Sequence, residues 1–181
     1  SVNDEVKQNR LETTIQSKWQ APDSPWITSV QGFYDHAEFQ EWDDRLIANA
    51  DIGYEFIKEN RTAKDGSELN FLNAVFRVGG GFRREFGNPA SEETVPEGLL
   101  GLRAAWKPTD NQTFSVELTY FPDILEIEQY RFIASGNYEI GLEDFENLSL
   151  IVGIHYEYDS HIDASGVPTY LRINVGLGLD F

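Results

Sequence analysis

The chain has 181 residues, a formal net charge of −17, 40% hydrophobic and 13% aromatic residues, and neither Cys nor Met. That size carries one domain, 1–181, and the acidity leaves no basic patch to neutralise phosphates, which excludes nucleic acid as a partner. No apolar run approaches the ~20 residues of a membrane helix, so a bilayer could be crossed only by strands. The lack of Cys suits passage through an oxidising periplasm. With no initiator Met and no charged, apolar leader, Ser1 is expected to follow a processing event or a longer upstream segment.

Alternation with a period of two, the mark of a β-strand, recurs along the chain. Nine strands are predicted, at about 5–19, 26–37, 44–57, 69–86, 98–107, 112–121, 129–142, 147–159 and 169–181. Turn chemistry separates them at 21–25, 64–67, 87–89, 108–111, 143–144 and 163–166. One face of each strand is apolar. In the third it reads Leu46, Ala48, Ala50, Ile52, Tyr54 and Phe56; in the last, Leu171, Ile173, Val175, Leu177, Leu179 and Phe181. The opposite faces carry Arg45, Asp51, Glu55, Arg77, Arg83, Glu85, Arg103, Glu117, Arg131, Glu139, His155, Glu157, Arg172 and Asp180, which are the candidate lumen charges. A charge facing lipid at the bilayer midplane costs ~2–4 kcal/mol, so a membrane would select this partition.

Aromatic residues gather where strands meet turns: Trp19 and Trp26, Trp106 and Phe114, Tyr120 and Tyr130, Tyr158 and Tyr170, with Phe181 closing the last strand. They read as the two interfacial girdles of a membrane barrel. The polar faces are rich in Gly, which relieves crowding inside a narrow lumen. The pattern predicts an all-β, antiparallel up-and-down transmembrane β-barrel of the bacterial outer membrane. A soluble acidic β-barrel binding module, with its apolar face turned inward, is the competing reading.

With the last strand descending to the periplasm, the first begins at the outer surface, and nine is odd where single-chain bacterial barrels have even counts. Either upstream strands are missing, another chain supplies one, or the count is off by one. Missing or separately supplied strands are favoured, giving 10–12 in all. Direct closure of the first strand on the last would make them parallel, so one more ascending strand is expected between them, paired with residues 5–19 and 169–181.

Several strings resemble a known family. Phe33-Tyr-Asp35, Asp44-Arg45-Leu46 and Asp51-Ile-Gly-Tyr54 resemble the central strands of the YdiY-like proteins, described as salt-induced outer-membrane proteins. The segments 115–122, with Tyr130-Arg131 downstream, 147–150, 156–160 and 176–181 resemble its later strands. The resemblance covers about 25–181 and implies an outer-membrane barrel without an established activity. The longer 58–68 and 87–97 connections and the strong acidity depart from the family.

For chemistry, Asp159-Ser-His161 with Asp163 has the residue types of a nucleophilic triad, but strand neighbours point to opposite faces. A polar outer loop is the simpler reading, with His155 in a lumen ion pair beside Glu157 and His36 at a strand end. Carboxylates crowd the expected outer loops: Glu41, Asp43 and Asp44; Glu92, Glu93 and Glu97; Asp123, Glu126 and Glu128; Asp159 and Asp163. They lack the spacing of a dedicated cation site and read as solvated. Gly79-Gly-Gly81 lies mid-strand and is not a phosphate loop. No catalytic residue, metal or cofactor is expected. The expected role is structural or that of a narrow channel, with an outer-membrane hydrolase as the competing class. The expected partners are outer-membrane lipid and lipopolysaccharide, the barrel-assembly machinery through the C-terminal strand, and the chain that completes the barrel.

Overall fold

The computed structural model describes residues 10–37, 44–62, 66, 68–87, 94–142, 148–160 and 169–179. Its elements are nine strands: β1 (Arg10–Gln20), β2 (Trp26–Ala37), β3 (Asp44–Thr62), β4 (Glu68–Phe86), β5 (Thr94–Thr109), β6 (Gln112–Pro122), β7 (Tyr130–Gly141), β8 (Leu148–Asp159) and β9 (Thr169–Leu179). They form one sheet in chain order, every strand antiparallel to its neighbour. The sheet curls into a half-barrel in which β1 and β9 are the two edges. Among the described residues there is no helix.

The departures from the predicted bounds have local causes. β3 runs on to Thr62 because register shifts between Glu55 and Ile57 and between Glu59 and Asn60 absorb extra residues, so the hairpin with β4 continues instead of turning. β5 starts at Thr94, not 98: Val95 and Pro96 pair with Arg83 and Phe82, although Pro signals a turn. Pro96 forfeits no ladder bond on its carbonyl side, where it accepts the Ile124 N–H at 3.0 Å. The predicted residues 5–9 of the first strand, and Asp180 and Phe181 of the last, lie outside the described residues.

The two faces differ in kind. On the convex side large apolar side chains stand open, among them Ile52, Phe56, Val78, Ile154 and Val175, the last 69% exposed. On the concave side Asp35, Arg45, Asp51, Arg77, Arg83, Glu97, Arg131 and Asp159 are buried, together with Ile27, Ile47, Leu99 and Phe121. This is the reverse of a soluble barrel, whose interior would hold the apolar stripe.

Close approach of β3 and β4 requires glycine. A Cβ on Gly79 would stand 2.1 Å from the Ala50 carbonyl oxygen, and one on Gly81 2.0 Å from that of Ala48 and 2.3 Å from Asn49 Oδ1. Gly32 has nothing within 4 Å. Gly81→Val is therefore expected to destabilise the fold by about 2–3 kcal/mol, while Gly32→Val stays within ~0.5 kcal/mol of the parent. Urea unfolding followed by intrinsic Trp fluorescence checks both.

Candidate functional site: a lumen of paired charges

Arginine and carboxylate residues of period two on seven strands, β2 to β8, meet inside the curl in two layers. At the end that bears the 38–43, 87–93, 123–129 and 160–168 connections, Arg45 on β3 bonds Glu85 on β4 through Nε at 2.9 Å. The same guanidinium crosses the lumen to Glu157 Oε1 on β8 at 3.3 Å and approaches Asp159 at 4.0 Å. Arg83 donates to Asp159 from the opposite wall and to Glu85 at 3.2 Å. Arg131 on β7 holds Glu97 on β5 at 2.9 Å and stacks over the Phe121 ring, 4.3 Å from its centroid. Glu97 and Asp35 are fully buried. Burial of Arg45, Arg83, Glu97, Arg131 and Asp159 is tolerable only because each of these has a charge-assisted partner at hydrogen-bond distance.

The second layer lies deeper. Arg77 grips Asp51 with two parallel bonds, at 3.0 and 2.7 Å, and reaches Glu117 at 2.5 Å. Arg103 takes the other oxygen of Glu117 at 2.8 and 3.1 Å. Farther on, Glu55 accepts a bond from Asn73 at 3.1 Å and lies 3.4 Å from the Lys58 ammonium. Between the layers is a cavity of about 300 Å³, lined by side chains from all nine strands.

Of the remaining candidate charges, His155 and Arg172 also line the cavity. Glu139 is half-buried on β7 and Arg172 sits on the open β9 edge, opposite His155 in register. His155 lies 4.0 Å from Glu157. Asp180 lies outside the described residues.

The aromatic candidates form two rows of rings on the convex face. At the end of the 21–25 and 110–111 turns, Trp26 packs edge-on against Tyr54 at 4.9 Å, and Trp106, Phe114 and Tyr138 stack in series at 5.5 and 4.5 Å. Trp19 is exposed at this end. At the opposite end Tyr120, Tyr130 and Tyr158 follow one another at 5.4 and 5.6 Å. Tyr170 does not join that row: it shares the parity of Arg172, and its ring stands edge-on to His155 at 6.3 Å. Phe181 lies outside the described residues.

Three carboxylates expected in solvated outer loops are buried instead. Glu97 falls within β5 and points inward with Leu99 and Arg103. Asp159 ends β8 against Arg83. Asp123 caps its turn, accepting the backbone N–H groups of Leu125 at 2.7 Å and Glu126 at 3.1 Å. Asp35 is not among the candidate charges, although its parity with Ser29, Gln31 and Phe33 on β2 places it on the same inward face. Of the triad residue types, Asp159 is engaged by Arg83, and Ser160 Oγ accepts the Tyr130 N–H at 2.7 Å. His161 and Asp163 lie outside the described residues, as do Glu41, Asp43, Glu92 and Glu93. His36 bonds Asp44 at 3.0 Å, and Tyr34 donates to the same carboxylate at 2.6 Å. Among the described residues no group of His, Asp and Glu could hold a metal ion.

The layers should differ sharply in energy from exposed pairs. Arg131→Ala would leave Glu97 buried without its main counter-ion and should cost about 3–5 kcal/mol. Arg61→Ala, at the half-exposed pair with Asp110, should cost less than ~1 kcal/mol. Equilibrium urea unfolding of the two variants measures the contrast.

A family model described as a protein of unknown function, DUF481, matches residues 1–181. No curated protein and no solved structure matches the chain.

Proposed function

We propose, for this chain, which belongs to the DUF481 family of proteins of unknown function, the role of an outer-membrane β-barrel that is non-enzymatic and occluded. The observation that carries this reading is the inverted partition, with charge buried on the concave face and large apolar side chains exposed on the convex one. In water such an exterior would be an aggregation liability; in lipid it is the stable surface. The two rows of rings support it. Tyr130 and Tyr138 are eight residues apart on β7, about 27 Å along a strand. At a tilt of roughly 40° that becomes ~20 Å, close to the ~25 Å apolar band of such barrels. The strings that resemble YdiY-like proteins point the same way.

Orientation follows from the connections. Those at 38–43, 87–93, 123–129 and 160–168 are longer on the whole than those at 21–25, 63–67, 110–111 and 142–147. Longer loops face outward in these barrels, so the Arg45–Arg83–Arg131 layer closes the outer mouth. Outer-leaflet lipid and lipopolysaccharide are then the surroundings of the convex face, and the C-terminal strand is the segment offered to the assembly machinery.

With ion pairs spanning the lumen, the protein is a structural element or at most a narrow channel. Reconstituted in planar bilayers, it should give low or no conductance; large, porin-like current steps would overturn this. A second check concerns the seam. The edges β1 and β9 run parallel, and an edge left open in lipid costs several kcal/mol per unpaired backbone group. One ascending strand, from upstream sequence or a partner chain, would pair with both. In native membranes the outward-facing amides of β1 and β9 should therefore resist hydrogen exchange as well as those of β5. Rapid exchange confined to the two edges would exclude the added strand.

A further inference from the structure

A passive scaffold has no use for the cavity between the two charged layers, and its walls have a definite chemistry. We propose that it is a binding site for a small, neutral, polyhydroxylated solute about the size of one sugar ring. Its volume of about 300 Å³ equals roughly ten waters at ~30 Å³ each, at the lower limit for small-molecule pockets. That admits a single ring and excludes an oligomer.

The charges on the walls decide the ligand's charge. Arg77 is already bound to Asp51 and Glu117, Arg131 to Glu97, and Arg45 to Glu85 and Glu157. Asp35 and Arg172 are engaged as well. A charged solute entering here would lose its hydration and find every counter-ion taken. Yet a guanidinium has five N–H donors and a carboxylate about four acceptor sites, so each pair leaves donors and acceptors over. A neutral hydroxyl, which both donates and accepts, can use both without breaking a pair. The rest of the wall combines neutral polar side chains, among them Gln31, Asn49, Thr119 and Ser135, which can meet further hydroxyls, with the apolar Phe33, Ile47, Leu99, Phe121 and Ile133. The apolar ones suit the C–H faces of a ring and leave a purely ionic solute unsupported.

The inference concerns the lumen and is independent of whether the convex face meets lipid, so it is tested on the full chain in detergent micelles. Saturation-transfer NMR uses glucose as the neutral probe, with inorganic phosphate and methylammonium as charged counterparts in competition. Glucose should show transfer with half-saturation of about 1–10 mM, undisturbed by either ion. Ile133→Trp, which fills the chamber, should weaken binding at least ~10-fold, and Thr119→Val, which only exchanges a lining hydroxyl for a methyl, about 5-fold. Val175→Phe on the convex face should change nothing. No transfer to glucose in the folded protein overturns the proposal. So does displacement of glucose by phosphate or methylammonium, or binding unaltered by Thr119→Val, which decides alone if Ile133→Trp fails to fold.

Discussion

Everything in this molecule depends on placing ions where water is scarce. A sheet that curls tightly turns its concave side chains toward one another, and many of them here are ionised. Such a surface is stable only if each charge meets its opposite within hydrogen-bonding reach, because an unpaired buried ion costs far more than a well-made pair returns. The bidentate grip of Arg77 on Asp51 and the clasp of Arg131 on Glu97 are the clearest cases. Arginine suits this work better than lysine: its planar fork serves two carboxylates at once, as Arg45 does for Glu85 and Glu157.

Glycine and ring stacking answer the same geometry from opposite sides. Inside, Gly79 and Gly81 yield the space that the Asp51 and Asn49 side chains occupy, so the crowded face accepts its ions without prising β3 from β4. Outside, where the surface diverges, large side chains have room, and Trp106, Phe114 and Tyr138 stack from strand to strand. Curvature therefore sorts residues by size as well as by polarity.

Much of this was legible in the residues because a strand's period of two assigns each side chain to a face without knowledge of the fold. β2 matches its predicted bounds of 26–37, and β8 ends at Asp159 as predicted. Glu97 falls within the expected 87–97 connection, and only the pairing of 94–97 with β4 places it in a strand. For Tyr170, clustering with other aromatics and strand parity point to different faces, and its ring stands beside His155. The union of Arg45 and Arg83 with Glu157 and Asp159 could not be foreseen. Parity names the face, but which residues meet across a lumen depends on how sharply the sheet curls, and alternation contains no measure of radius.

Those cross-lumen links also bear on the order of folding. Every strand pairs with its immediate neighbour in sequence, so the ladder can grow hairpin by hairpin with small loop-closure entropy. The bond from Arg45 to Glu157 spans 112 residues and cannot form until β8 has joined the sheet. The closing contacts of the half-barrel are thus its electrostatic ones. Assembly by this route is a zipper whose last tooth is ionic, and the final rounding of the sheet should be the step most sensitive to dissolved salt.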